Sequence, residues 1–257
     1  MRNSSDDLIV ETVQGYKFHN SKQRVFLAVK YEKTYEPELT AVVQRYLMSG
    51  DRCVDVGANF GWYSIVMASS ISTGRVYSYE PTPETFNTLQ KNIDLNNMAD
   101  IIKASMCCVS DNEEPVNLFV RDISDGGLNH VSLTPSKSTI ELPTVVLDHD
   151  LTAEIGKISL MKIDVEGFEV KVLGGCTEIM GVEDKPVIQI ELNQESLIRV
   201  GESVENLCEM LRSHGYSFAL PMDNGFCEKT TVPEKYINLF CVPSSGVYGK
   251  RFSELCL

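Results

Sequence analysis

Four acids stand where an apolar, strand-like run gives way to a turn: Asp55, Glu80, Asp164 and Glu191. The first opens the stretch D-V-G-A-N-F-G, in which Gly57, Ala58, Asn59 and Gly61 form a small-residue turn ahead of a helical run. Gly57 and Gly61 let the backbone turn tightly and approach a ligand closely. Glu80 follows about twenty-five residues after Asp55 and ends the next strand. An acid in that place can accept both hydroxyls of a ribose. A pyrophosphate fits poorly, because the loop lacks G-x-G-x-x-G and Asp55 repels phosphate.

S-adenosylmethionine suits this set. It brings a ribose, an ammonium and a sulfonium, and no phosphate. Asp55, Gly57, Ala58, Asn59 and Gly61 are assigned to its amino-acid end and Glu80 to its ribose, with Pro81 adjoining. The bland alternative is a strand-to-helix turn with a capping Asn59. Glu80 in its place favours the ligand.

Asp164 ends the apolar run "SLMKI" at the strand edge where reacting groups gather, so it should face the methyl group. It could be a general base, a metal ligand or an electrostatic partner of the cofactor, or it could merely cap the short helix that follows. Glu166 and Glu191 lie near the same edge. Three acids so close raise one another's pKa unless a cation sits among them. That cation could be Mg²⁺. The favoured reading is the cofactor's own charge together with Lys162, with no metal ligand assigned. An alcohol acceptor needs a base, and the candidates are Asp164, Glu191 and His130, the last in the Gly-rich "SDGGLNHVSL". His19, His149 and His214 have no supporting context. Trp62 reads as packing. Tyr35-Glu36-Pro37 could fold over the cofactor, although a helix start explains it equally well.

These residues need a scaffold, and the chain supplies its rhythm. "VQGYKFHN" and "RVFLAVKY" read as a hairpin, and "EPELTAVVQRYLMSG" as a helix. From Arg52, strands "RCVDVGA", "RVYSYE", "DIIKASMCCVS", "ISLMKIDVE" and "KPVIQIELN" interleave with helices such as "TPETFNTLQKNIDLN" and "SVENLCEMLRSHG". "VNLFVR" and "LPTVVLD" add strands, and "YSFALP" and "YINLFCVP" close the chain as an antiparallel pair. Alternating strands and helices predict a mostly parallel α/β sheet covered on both faces. Residues 1–50 are expected to form a hairpin-and-helix extension packed on the core, and 51–257 the S-adenosylmethionine-binding domain.

The 257 residues carry a net charge of −13 and no Lys/Arg run. This disfavours nucleic acid and anionic membrane as partners. No apolar stretch is long enough to span a bilayer. The N-terminus does not read as a signal peptide, and the eight cysteines form no C-x-x-C pair. A reducing, cytoplasmic setting is expected.

"DVGANFGWYS", "YEPTPETFNTLQKNI", "VVLDHDL" and "LMKIDVEGFEVKVLGG" followed by "IQIELN" resemble the FkbM-type family of S-adenosylmethionine-dependent methyltransferases, from about Tyr35 to Asn193. The resemblance implies the Rossmann-like class I methyltransferase fold: a seven-stranded sheet, helices on both faces and an antiparallel C-terminal edge strand. It also implies O-methylation of a sugar or related small molecule, and it sets Cys108 and Ser110 beside the adenine. The expected activity is therefore methyl transfer to a hydroxyl of a small or glycan acceptor. N-methylation of an amine is the alternative within the fold. A nicotinamide-dependent oxidoreductase and a non-catalytic binding module are the alternatives outside it.

Overall fold

The computed structural model describes residues 9–19, 26–119, 130–132, 139–231 and 237–256. Strands β1 (Ile9–Glu11) and β2 (Lys17–His19) pair antiparallel, and helices α1 (Phe26–Glu32) and α2 (Pro37–Tyr46) follow. The expected second arm of the hairpin is thus a helix. Its buried residues, Phe26 and Val29, are three apart, which is a helical spacing and not an alternating one.

The core then runs β3 (Arg52–Val56), α3 (Trp62–Ile71), β4 (Arg75–Tyr79), α4 (Pro83–Leu95) and β5 (Ile102–Ser105). The expected strand after "DI" breaks in two, because β6 (Cys108–Val109) leaves the main sheet to pair in parallel with β10 (Thr144–Val145). Between them β7 (Val116–Phe119), β8 (His130–Ser132) and β9 (Thr139–Leu142) make a small antiparallel sheet in the order β8-β7-β9. After α5 (Leu147–Asp150) come β11 (Ile158–Ile163), α6 (Glu169–Gly174), α7 (Thr177–Gly181) and β12 (Val187–Leu192). The chain continues through α8 (Gln194–Arg199), α9 (Val204–Ser213), β13 (Tyr216–Pro221), β14 (Cys227–Thr230), β15 (Ile237–Pro243) and α10 (Gly246–Ser253).

The main sheet has the order β14-β13-β15-β12-β11-β3-β4-β5. β5, β4, β3, β11 and β12 are mutually parallel, and β15 runs antiparallel to β12. This is the expected class I fold. The antiparallel strand β15 sits between β12 and β13, and β14 adds an eighth strand at the rim. Every residue of β11 and β12 is buried, as parallel strands covered on both faces require.

One face of the sheet packs Cys53, Leu160 and Val187 under α2 and α3, and the other packs Val54, Met161 and Ile188. Helix α3 is buried nearly all round, from Trp62 to Ala68. The rings of Phe18 and Tyr35 cover it from outside: Phe18 stacks on Trp62 at 5.4 Å, and Tyr35 meets Trp62 edge-on at 6.1 Å. Trp62 is buried and donates its Nε1–H to Thr40 Oγ1 at 2.9 Å, so it is a packing residue.

On the α3 face, apolar burial gives way to a polar row near the strand ends. Ser78, Asp55, Lys162 and Gln189 are register partners on β4, β3, β11 and β12. All four are buried.

Candidate active site

The loop from Gly57 to Gly61 leaves β3 by a path only glycine can take. Gly57 has φ +78°, and a Cβ there would lie 1.9 Å from the Asp164 carbonyl oxygen. Gly61, at φ +96°, passes close to Leu89 of α4. Between them Asn59 adopts φ 52°, and its side chain accepts from the Phe60 N–H at 2.8 Å. Asn59 thus holds the turn itself, and its own N–H donates to Glu80 Oε2 at 3.0 Å. Ala58 is buried and donates its N–H to the Tyr79 carbonyl at 3.0 Å.

Glu80 stands at the end of β4 with Oε1 accepting from the Thr82 N–H at 2.9 Å. Thr82 heads α4 without a side-chain cap bond, and its hydroxyl serves Glu80 instead. Burial pushes the Glu80 carboxyl up to about 6, against the pull of the Thr82 and Asn59 donors. A carboxylate can accept about four hydrogen bonds; the Thr82 N–H, the Thr82 hydroxyl and the Asn59 N–H take three, so capacity for one ribose hydroxyl is left. Pro81 beside it is half-buried. Cys108 and Ser110 lie on and just after β6 and are buried. Burial, then Cys107 and Glu80, push the Cys108 thiol up to about 12.

Asp55 differs from the expected ligand contact in one respect: its carboxylate is 0% exposed. Oδ2 accepts from the Ser64 hydroxyl at 2.6 Å, and the Ser64 backbone N–H also bonds it. Asp55 therefore acts as the cap that Gly61 cannot supply to α3. Its Oδ1 lies 3.9 Å from the Lys162 ammonium and has no hydrogen-bond donor among the described residues.

Lys162 binds these acids together. Its Nζ is 3.1 Å from Asp164 Oδ2 and 3.4 Å from the Gly57 carbonyl, over the ring of Tyr63. Burial works against its charge, but Asp164, Asp55 and Glu36 outweigh burial and hold it well above the usual lysine range. Glu36 comes from the start of α2, and its carboxylate accepts from the Tyr63 hydroxyl at 2.6 Å.

Asp164 follows β11 with its side chain 33% exposed. It does not cap the following helix. That turn is held by Glu169, whose Oε1 accepts from the Val165 and Gly167 N–H groups at 3.2 and 3.1 Å. Glu166 has φ 53°, and burial, then Asp164 and Glu169, push it up to about 7. Asp164, Glu166 and Glu191 offer carboxylate oxygens that all lie within 4.8 Å of one another. Three such oxygens would suit one divalent ion, but Asp164 already has a cation in Lys162.

The backbone of His130 opens β8 and pairs with Phe119, on the small sheet and not at the main strand edge. The Gly-rich loop before it lies outside the described residues. His149 is an exposed partner of Glu113 at 3.0 Å, and His214 bonds the Met210 carbonyl at the end of α9. Sequence reasoning missed the contributions of Tyr63, Gln189 and Glu169. The register partner of Lys162 on β12 could have pointed to Gln189. Nothing in the spacing of Tyr63 separates it from the apolar residues of α3.

The profile of the methyltransferase FkbM domain matches residues 55–218, more than half of the chain. Methyltransferase sdnD of Sordaria araneosa is 26% identical over 162 residues, 51% of this chain and 62% of that protein. Hexuronic acid methyltransferase AglP of Haloferax volcanii is 25% identical over 137 residues, 53% of this chain and 54% of that protein. The chain thus spans under two thirds of the length of either relative. The crystal structure of methyltransferase FkbM from Methylobacillus flagellatus gives a TM-score of 0.50 at 19% identity, covering 76% of this chain and 44% of that one. At that identity the likeness is one of fold.

Proposed function

The chain belongs to the FkbM methyltransferase family, and on that premise we propose that it is an S-adenosylmethionine-dependent O-methyltransferase acting on a hydroxyl of a small or glycan acceptor, a sugar before others. The observation that carries the cofactor is Glu80: a buried carboxylate at the end of β4, oriented by two backbone donors beside a loop that requires glycine at its first residue, Gly57. The surroundings support a cation over a phosphate. Asp55 and Gln189 each present a buried acceptor oxygen without a donor among the described residues, and Asp55, Asp164 and Glu36 outnumber Lys162. The sugar preference leans on the hexuronic acid methyltransferase among the relatives.

When bound, S-adenosylmethionine supplies a methyl group on a positively charged sulfur, open to attack by an oxygen nucleophile. Glu80 would accept from the ribose, the segment at Cys108 and Ser110 would flank the adenine, and the loop at Gly57, Ala58, Asn59 and Gly61 would hold the amino-acid end. Asp55 acts from below, through α3 and Lys162. Asp164, half-open above Lys162, orients the acceptor and draws off its proton, with Glu191 and His130 as the other candidate bases.

One observation favours N-methylation as a second reading. The Asp164, Glu166 and Glu191 cluster would attract a cationic amine. Titration calorimetry with S-adenosylmethionine and with NAD, each with Mg²⁺ or EDTA, tests the class. Micromolar binding of S-adenosylmethionine alone is expected, and binding of NAD alone would overturn the reading. A methyl-transfer screen over deoxysugars, glycans and amines then separates the two acceptor readings.

A further inference from the structure

We infer that the segment ahead of the matched family domain completes the cofactor site, with Glu36 receiving the ammonium of the cofactor's amino-acid end. This rests on the methyltransferase reading and adds to it a residue outside 55–218.

Glu36 occupies the N-cap position of α2, yet its side chain makes no cap bond. Its carboxylate is instead fixed by phenols, from Tyr63 of α3 at 2.6 Å and from its neighbour Tyr35. The residue stands in the left-handed region, at φ 42° and ψ 63°, which turns it from helix capping toward α3. Lys162 and Asp164 are its charged neighbours. Tyr63 also accepts from the Gln189 side-chain amide, whose Oε1 is buried on a 1% exposed residue and has no donor among the described residues. Carboxylate and amide oxygen thus belong to one network, in which the amide oxygen lacks a donor among the described residues, and an ammonium carries three.

Distance agrees with this. Glu80 ends β4 and Asp164 follows β11, with β3 between them. Two strand spacings separate them, about 10 Å, so a ligand whose ribose lies on Glu80 crosses Gly57 and brings its far end to Asp164 and Glu36. The Lys162 ammonium leaves Glu36 room for a second cation because Lys162 is shared among three acids.

The test compares two nucleosides by calorimetry on the full chain. S-adenosylhomocysteine carries the amino-acid end, and 5′-methylthioadenosine lacks it. Glu36→Gln should weaken S-adenosylhomocysteine roughly 10- to 100-fold, as expected for a lost charge-assisted hydrogen bond, and leave 5′-methylthioadenosine within about twofold. Tyr63→Phe should show a smaller loss of the same selectivity. Glu36→Gln binding both nucleosides as the wild type does would overturn the assignment. If Glu36→Gln loses both together through misfolding, Tyr63→Phe decides, and wild-type binding of both by that variant overturns it. Wild-type protein that binds neither nucleoside would overturn the methyltransferase reading itself.

Discussion

The Lys162 ammonium stands 3.1 Å from Oδ2 of Asp164, two residues further along the chain. The lysine side chain is 8% exposed and the aspartate 33%, so the cation lies beneath and the acid above it, open to solvent. The carboxylate of Asp164 is thereby held in place without capping the helix that follows.

Asp164→Asn keeps the size of the side chain and removes the charge. It should lower kcat by roughly 10²-fold or more, the scale of a lost acid–base group, while the affinity for S-adenosylmethionine changes only a few-fold. Single-turnover rates set beside calorimetry on the same preparation check this. Normal turnover would make Asp164 a scaffold residue.

Lys162→Met would leave Asp55 fully buried with no cation within reach. Removing one partner of a buried pair costs roughly 3–5 kcal/mol. Urea denaturation at pH 7 should show a loss of that order, and adding Asp55→Asn should restore part of it. An unchanged midpoint in Lys162→Met would mean that Ser64 alone sustains Asp55.

Glu80 titrates at about 6 because it is buried. Its ionised form is the stronger acceptor for a ribose hydroxyl. Affinity for S-adenosylmethionine should therefore rise with pH through about 6 and level off above it. Glu80→Gln should bind roughly 10- to 100-fold more weakly and lose this pH step. A step that persists in Glu80→Gln would assign it to another group.

The strand–helix alternation and the acids at the strand ends were legible because each is a local pattern. Asp55, Glu80, Asp164 and Glu191 all lie at the ends of parallel strands, so chain order alone collects them at one edge. What the sequence hid was depth and long-range partnership. Asp55 reads like Glu80, yet the first caps α3 from beneath and the second faces the loop. Glu36 and Tyr63 are 27 positions apart, and nothing local announces their bond. "RVFLAVKY" misleads for the opposite reason. Its β-branched and aromatic residues suit a strand, while packing of Phe26 and Val29 selects a helix.

Gly57→Ala places a methyl group 1.9 Å from the Asp164 carbonyl at a φ of +78°. The clash is with backbone, so no rotamer relieves it. A loss of about 3 kcal/mol or more is expected, together with loss of cofactor binding. Gly15→Ala is the control: it has a similar φ of +83° but nothing within 4 Å of the added atom. It should cost about 1 kcal/mol and leave binding intact. Equal melting temperatures for the two variants would contradict the close approach of the two loops.

Glu169 links the site to the pH dependence of folding. Its carboxyl is buried, on a residue 1% exposed, and burial pushes it from 4.5 up to about 7 despite the N–H donors that favour its charge. The native state therefore holds this proton more tightly than the unfolded chain does. The resulting stabilisation is complete below pH 4.5 and is lost as pH climbs through 7. Glu169→Gln keeps an acceptor for the Val165 and Gly167 N–H groups and cannot ionise. Its stability should fall less than that of the wild type between pH 5 and pH 8.5, by at most roughly 3 kcal/mol, and it should be the more stable protein at the upper end. Glu166, also raised to about 7, stays in the variant and keeps its own share of the slope. Urea midpoints across this range settle the point, and parallel pH profiles for the two proteins would show that Glu169 is charged in the fold throughout.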